Sequence, residues 1–331
     1  MQQEMLNAVD TAKKITEGRT LLLAGEEKLL RQLPQGNWIG GTIPYFITPE
    51  KGGAVSQDLI FVTDISQLAA GCTIKVHNQD SLGKIYTEGE GSGFSFLIVP
   101  AASTAHASFA VNGPNYKDFG VRPLVGWVSG VHLNDLGTVT PKVFNGKTGS
   151  AHEQEAVVMH VTVPAGKSLD VGIVNLFEQG EGDTLTFPND GFACTEVMVN
   201  GVKENFADYI TKNKLDTKLP LVADYYGALV NISFQSVEAG GEVKFYAPVF
   251  KGIRYKHAKP VSNYANAFGE QLKKSNLDGD RVLFSCNCIL NYLYSELEGR
   301  KTDPFIGPIT FGEIAYQLLN QTLVYLEVHD V

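Results

Sequence analysis

The stretch GPITFGEIAYQLLNQT, residues 307–322, places one carboxylate and several uncharged hydrogen-bonding side chains in an otherwise apolar segment. Ligand pockets are mostly apolar with a few convergent polar groups, which matches this composition. We therefore predict that Glu313 takes an ammonium or hydroxyl group of a small ligand and that the amides after it orient the ligand. The alternative is that these amides and Thr322 satisfy backbone groups at a buried strand end. The predicted site in this stretch comprises Phe311, Gly312, Glu313, Asn320 and Gln321.

A second group of candidate residues lies where a predicted buried strand enters a helix, namely Ser285, Cys286 and Asn287. Ligands of α/β sheets favour this end of a strand, because the amides of a helix N-terminus converge there. A thiol in that position can have a lowered pKa, so Cys286 is also a candidate reactive sensor. Inert packing is the alternative, since free cysteine is commonly a small core residue. We predict no metal site at Cys286 and Cys288, because the sequence offers no second cysteine pair.

Two consecutive glycines form the third candidate, in the segment GNWIGGTIPYFIT. Gly40, Gly41 and Thr42 could surround a ligand carboxylate with backbone N–H groups. Paired glycines inside a strand-like segment also indicate a bulge or a close approach of another part of the chain, without any ligand. We include the three residues in the predicted ligand site.

Three catalytic motifs are absent. In HEQEAVVMH the second histidine, His160, is too far from His152 for the zinc-helix spacing, and the segment alternates like a strand. GEGSGF lacks the lysine of a phosphate-binding loop, and GWVSG is not a nucleophile elbow. The seven histidines are scattered, and none pairs locally with a serine or carboxylate in a way that suggests a catalytic triad. We predict no catalytic residue, no metal and no cofactor.

The net charge of the chain limits the classes of partner that we expect it to bind. It has 331 residues and a formal net charge of −9, and its basic residues are scattered without forming a long cluster. We therefore expect neither nucleic acid nor an anionic membrane surface as a partner. No apolar run approaches the ~20 residues of a membrane span, and the N-terminus lacks the apolar core of a signal peptide. With only four cysteines in the chain, these features predict a cytoplasmic protein.

Hydrophobic patterning predicts a mixed α/β (α+β) protein with parallel and antiparallel strands and flanking helices. We read ILNYLYSELEG, which follows the predicted strand DRVLFSCN, as a helix ending at Gly299. The alternation of strand, helix and strand in this region implies a parallel βαβ crossover. GALVNISFQSV and GEVKFYAPVF, joined by EAGGE, predict a hairpin. EAVVMHVTV predicts a half-buried strand. Helices are predicted over residues 1–18 and 263–276.

The C-terminal sequence resembles the closing part of FIST domains, sensory modules named for F-box and intracellular signal transduction proteins. The resemblance rests on RVLFSCN, GPITFGEIA and LLNQTLVYL. Upstream, KLPLVADYYGALVNISFQSVEAGGEVKFYAPVFKG resembles the hairpin that opens the C-terminal FIST half, and GNWIGGTIPY an early glycine-rich strand. After the helix predicted over 1–18, the resemblance implies a FIST_N-like half over 19–203 and a FIST_C-like half over 204–331.

Members of the FIST family bind small molecules, with amino acids proposed, and pass that state to signalling partners. The resemblance therefore implies a cytoplasmic sensory protein with an amino-acid-like ligand and a signalling protein partner. One alternative is an enzyme that uses Cys286 or Glu313 in a closed pocket. A second alternative is an interaction scaffold without a ligand, which would use an exposed sheet edge.

Overall fold

The computed structural model describes residues 2–225, 228–261, 263–274 and 279–331. The strands of its first half are β1 (Gln2–Leu6), β2 (Leu21–Gly25), β3 (Trp38–Thr42), β4 (Tyr45–Thr48), β5 (Gly52–Val55), β6 (Ile60–Asp64), β7 (Gly71–His77), β8 (Gly93–Pro100), β9 (Leu124–Ser129), β10 (Val143–Asn145), β11 (Ser150–His152), β12 (Ala156–Thr162) and β13 (Lys167–Asn175). The later strands are β14 (Leu185–Thr186), β15 (Gly191–Cys194), β16 (Glu196–Val199), β17 (Val202–Asn205), β18 (Leu221–Tyr225), β19 (Ala228–Ile232), β20 (Phe234–Val237), β21 (Val243–Val249), β22 (Tyr255–His257), β23 (Val282–Cys288), β24 (Gly307–Thr310), β25 (Glu313–Ala315), β26 (Gln317–Leu319) and β27 (Thr322–Asp330).

The α-helices are α1 (Ala8–Thr16), α2 (Glu27–Leu30), α3 (Thr104–Asn112), α4 (Phe206–Asn213), α5 (Tyr264–Lys274) and α6 (Ile289–Tyr294). Short 3₁₀ helices cover Leu82–Lys84, Gly113–Asn115, Leu133–Asp135 and Gly279–Arg281. None of the helices that the structure describes has the length and apolarity needed to cross a lipid bilayer.

The strands assemble into five sheets within the described ranges. Sheet 1 has the order β1-β6-β2-β3-β10-β11, sheet 2 the order β26-β25-β9-β8-β12-β7, and sheet 3 the order β13-β27-β23-β24-β4-β5. Sheet 4 has the order β17-β16-β14-β22-β18-β19, and sheet 5 the order β15-β21-β20. Parallel pairs β2–β3, β8–β9 and β23–β24 stand among antiparallel ones, and each is connected through a helix. The predicted mixed α/β class and the C-terminal βαβ crossover are confirmed.

Sheet 2 lies at the centre of the molecule, with a hydrophobic core on each face. One face packs against sheets 1 and 3, as in the edge-to-face contact of Phe96 with Phe284 at 4.7 Å between ring centroids. The opposite face packs against α3, α4 and the strands of sheets 4 and 5. Strand β12 therefore has both faces covered, with Val157 in one core and Val158 in the other. The strand was predicted correctly, but the expectation that it is only half-buried was wrong.

The N-terminus differs from the predicted helix over residues 1–18. Residues 2–6 form β1, which pairs antiparallel with β6, and α1 starts only at Ala8. The side chain of Asn7 caps the helix by accepting a hydrogen bond from the backbone N–H of Asp10 at 2.9 Å. Pairing with β6 satisfies the backbone of these residues, and this tertiary partner outweighs their local helix propensity.

The other local predictions have mixed outcomes. Strands β20 and β21 form the predicted hairpin, but α6 ends at Tyr294 and not at Gly299. Gly227, which begins the predicted hairpin segment, and residues 275–276, which end the predicted helix 263–276, lie outside the described residues. The predicted boundary between residues 203 and 204 is crossed by hydrogen-bonded pairing in sheets 2 to 5, each of which has strands from both sides.

Candidate functional site

The carboxyl group of Glu313 lies in the interior, on β25 of sheet 2, with no exposed surface. Its Oε2 accepts hydrogen bonds from the hydroxyl of Thr322 at 2.8 Å and from the backbone N–H of Thr322 at 3.3 Å. The hydroxyl of Thr310 lies 3.4 Å from Oε1. Burial raises the pKa of Glu313 to about 8, against the opposing effect of these hydrogen bonds. The group is therefore protonated at neutral pH, and its neighbours in the fold satisfy it.

The two thiols beside Glu313 are also interior groups. Cys286 and Cys288 are both buried, and Cys288 hydrogen-bonds the Glu313 carboxyl group. Burial, followed by the nearby carboxyl group, raises the pKa of both thiols well above the usual value. Both cysteines are therefore protonated at neutral pH and poorly suited to act as nucleophiles, since the thiolate is the reactive form.

Asn320 and Gln321 connect β27 to the β19–β20 segment. Asn320 Oδ1 accepts from the backbone N–H of Ser233 at 3.0 Å, and the hydroxyl of Ser233 also bonds both amide side chains. Gln321 Nε2 donates to the carbonyl of Lys218 at 3.0 Å. Asn231 Nδ2 donates to the carbonyls of both residues, at 3.2 and 3.3 Å. These bonds match the structural alternative for the two amides, although Asn320 Nδ2 is buried without a partner.

Phe311 and Gly312 pack against the end of β9. The Phe311 ring lies so close to Gly130 that a side chain there would overlap it. The carbonyl of Gly312 accepts from the backbone N–H of Val128 at 2.8 Å. The two residues thus join β25 to β9 by packing and backbone pairing.

The paired glycines lie in the middle of sheet 1, where β3 has regular neighbours on both sides. A Cβ atom on Gly41 would come within 2.7 Å of the Trp127 ring, so this glycine permits sheets 1 and 2 to approach each other. Gly40 faces the carbonyl of Leu23. Thr42 Oγ1 accepts from the backbone N–H of Lys142 at 2.9 Å. The close-approach alternative explains Gly41, and no bulge occurs in this strand pair.

Ser285, Cys286 and Asn287 line a narrow crevice between β23 and residues 302–308. The crevice has no space into which a water molecule fits. The hydroxyl of Ser285 donates to the carbonyl of Ile306 at 2.8 Å and so ties the two walls together. Asn287 Oδ1 accepts from Asn291 Nδ2 at 3.0 Å, but Asn287 Nδ2 is buried and has no hydrogen-bond partner.

A separate polar cluster contains His77, Glu88 and His160, whose ligand-type atoms all lie within 4.8 Å of one another. His77 and His160 lie on β7 and β12, which pair antiparallel, and both rings are buried. His160 is opposite Thr73 and His77 is opposite Ala156, so the two histidines point to the same face of sheet 2. Glu88 comes from the loop after the 3₁₀ helix Leu82–Lys84.

Sequence reasoning missed this cluster. Its two histidines are separated by 82 residues, and only the register of β7 on β12 brings them to one face. The signal available in the sequence was a histidine at a position of β12 whose neighbours at every second residue, Ala156 and Val158, are apolar core residues. A buried polar residue at such a position requires a partner.

Comparison with known proteins identifies a family. A family model described as "Family of unknown function (DUF6976)" matches residues 6–329. No curated protein matches the chain.

Proposed function

The chain belongs to the DUF6976 family, whose function is unknown, and we propose that it binds a small polar ligand in the crevice between β23 and residues 302–308. The ligand class is an amino acid or similar metabolite, and the protein acts as a FIST-like sensor in the cytoplasm that passes its ligand state to a partner protein. Ser285, Cys286 and Asn287 are the binding residues of this proposal. Glu313, Asn320 and Gln321 have hydrogen-bond partners within the fold and are not binding residues in this proposal.

The observation that carries the proposal is the unpartnered amide of Asn287. A buried donor without an acceptor costs about 1–3 kcal/mol, and most buried polar groups therefore have partners. Asn287 Nδ2 is such a donor, in a residue that lines the crevice. A ligand with a carboxylate or carbonyl oxygen placed there would supply the missing acceptor.

The narrowness of the crevice means that ligand binding requires a conformational change. The crevice has no room for even a water molecule, whereas ligand sites typically offer roughly 300–1,000 Å³. A ligand therefore has to select a conformation in which residues 302–308 lie farther from β23. The bond from Ser285 to Ile306 would break in that conformation, and the exposed Asp303 would move with the segment, where a partner protein can contact it.

The enzyme alternative is less well supported by the same geometry. Cys286 has its sulfur 3.5 Å from the carbonyl of Gly126, and Glu313 is held by Thr322. A nucleophile or base needs a free, correctly ionised atom facing a substrate. Neither side chain meets this requirement in the crevice.

A thermal-denaturation screen with the twenty amino acids and small carboxylic acids tests the proposal. We expect at least one compound to raise the melting temperature, since a ligand at 100 times its Kd stabilises the folded state by about 2.7 kcal/mol. The Asn287→Ala variant should lose this response. The control Asn145→Ala removes an equally internal asparagine, whose Oδ1 accepts from Lys147 N at 2.9 Å, and should keep it. Absence of stabilisation by every compound would refute the proposal.

A further inference from the structure

We propose that His77, Glu88 and His160 form a binding site for a divalent transition-metal ion such as Zn²⁺, which displaces the ammonium group of Lys75 from Glu88. This site is independent of the crevice at β23. Two imidazoles and one carboxylate are a ligand set that zinc and other first-row metals use when a coordination position stays open for water or substrate.

The hydrogen bonds of Ser81 fix the tautomer of His77. The hydroxyl of Ser81 donates its proton to the carbonyl of Asn78 at 3.3 Å. It therefore accepts in its contact with His77 Nδ1 at 3.2 Å, so that Nδ1 carries the imidazole proton. The other nitrogen, Nε2, then presents a lone pair, which is the form that binds a metal.

A serine hydroxyl also lies behind the ring of His160. The Nδ1 of this ring lies 2.8 Å from the hydroxyl oxygen of Ser95, which accepts from Arg122 Nε at 3.2 Å. A metal ion at His160 Nε2 selects the tautomer with the proton on Nδ1, and the two lone pairs of the Ser95 oxygen then accept from both groups. His160 Nε2 is buried and makes no hydrogen bond. Serine contacts thus orient both rings from behind, as the outer partners of metal-bound histidines do.

The contact between His77 and Glu88 is favourable when a positive charge lies beside it. His77 Nε2 lies 3.3 Å from Glu88 Oε2, yet the two atoms do not form a hydrogen bond. A lone pair therefore faces a carboxylate oxygen, and this arrangement is favourable only with a cation beside both atoms.

Lys75 supplies that cation in the structure. Its Nζ lies 3.0 Å from Glu88 Oε2, and its side chain is 42% exposed. An exposed lysine can turn into solvent at little cost, because exposed ion pairs contribute little to stability. A metal ion has to compete with this charge and with the nearby guanidinium of Arg122, which is held in place by bonds to backbone carbonyls such as that of Val161.

The spacing of the ligand atoms suits a tetrahedral ion after a small adjustment. Ligands about 2.0–2.1 Å from zinc are roughly 3.4 Å apart in tetrahedral geometry. The distance from His77 Nε2 to Glu88 Oε2 already agrees with this value. The other separations are at most 4.8 Å, so they have to shorten by no more than about 1.4 Å when the ion binds.

Calorimetric titration of the full chain with Zn²⁺, after treatment with a chelator and its removal, tests the site, with visible Co²⁺ absorption as a second readout. We expect one ion per chain. His160→Gln and Glu88→Gln should each weaken binding at least 100-fold, beyond the roughly 10–100-fold typical of outer-shell changes. Lys75→Met should tighten it roughly fivefold, because one like charge is removed.

The control is His152→Gln. His152 Nδ1 lies 3.2 Å from Glu155 Oε2, so it forms a similar histidine–glutamate pair outside the cluster. This variant should bind like the wild type. Absence of stoichiometric binding would overturn the site, as would equal weakening by His152→Gln, and unchanged affinity in Lys75→Met would overturn the displacement of Lys75. If His160→Gln does not fold, as judged by circular dichroism, the variant at the partly exposed Glu88 decides the question.

Discussion

Glu313 has a carboxyl group that the fold buries completely. Its sequence context already distinguished it, as a lone carboxylate in an apolar run. What the sequence could not indicate was its partner: Thr322 comes from the same stretch, but two short strands fold the chain back before the two side chains meet. Such a return depends on sheet pairing rather than on local residue type. The carboxyl group of Glu313, which was predicted to face a ligand, therefore hydrogen-bonds to other residues of the chain.

The protonated state of Glu313 predicts a pH-dependent stability. The folded pKa of about 8 exceeds the ordinary value of 4.5, so between these pH values the folded state binds more protons than the unfolded state. The contribution of Glu313 to the free energy of unfolding is complete below pH 4.5 and is lost as the pH rises through 8. Urea unfolding at pH 5, 7 and 9 should show the stability of the wild type relative to Glu313→Gln falling by a few kcal/mol over this range. The exposed control Glu181→Gln should give a constant difference, and a constant difference for Glu313→Gln would contradict the assignment.

At the scale of the elements, patterns whose partners are near in sequence predicted the structure well. The hairpin β20–β21 and the crossover β23–α6–β24 are examples. β1 was missed because its partner β6 lies more than fifty residues away. The segment around Ile43 and Pro44 was read as one strand, yet β3 and β4 lie on either side of it in different sheets. The His77–His160 cluster escaped prediction for the same reason, since strand register is a property of the assembled sheet.

The close approach of β3 to sheet 2 can be tested at Gly41. An alanine there would bring its Cβ within 2.7 Å of Trp127 and 2.8 Å of Ile98. Overpacking of this kind costs typically 1–3 kcal/mol, and Gly41→Ala should reduce the free energy of unfolding by that amount. Gly71→Ala is the matched control, because this strand glycine has nothing within 4 Å of its Cβ position, and it should change stability by less than about 0.5 kcal/mol. Equal effects of the two substitutions would contradict the prediction that Gly41 is required for the close contact with Trp127.

The whole molecule is organised around sheet 2, which carries the two histidines of the polar cluster, whereas the crevice lies within sheet 3. The histidine cluster lies on the face with Ala156, whereas Cys286 beside the crevice lies in the core of the other face. Sheets 2 to 5 each combine strands from before and after residue 203. Hydrogen bonding thus continues across the boundary that the family resemblance implied.

This continuity predicts that the two segments do not fold alone. Fragments 1–203 and 204–331 would each expose unpaired strands, for example β13 without β27, whose pairing spans nine residues of each strand. Neither fragment should show a cooperative thermal transition by circular dichroism, and a mixture of the two should recover it at least in part. A cooperative transition in either isolated fragment would contradict this prediction.

The most direct test of the proposed binding site is the side-chain amide of Asn287 itself. In the ¹⁵N NMR spectrum of the asparagine-labelled protein, this resonance can be assigned as the one lost in Asn287→Ala. Upon saturation with a stabilising compound from the screen, the account predicts that the Asn287 amide resonance shifts, because its unpartnered N–H gains an acceptor. The amide of Asn231, which already bonds to Asn175 at 2.9 Å, should remain in place. An unchanged Asn287 resonance under saturating ligand would contradict the account.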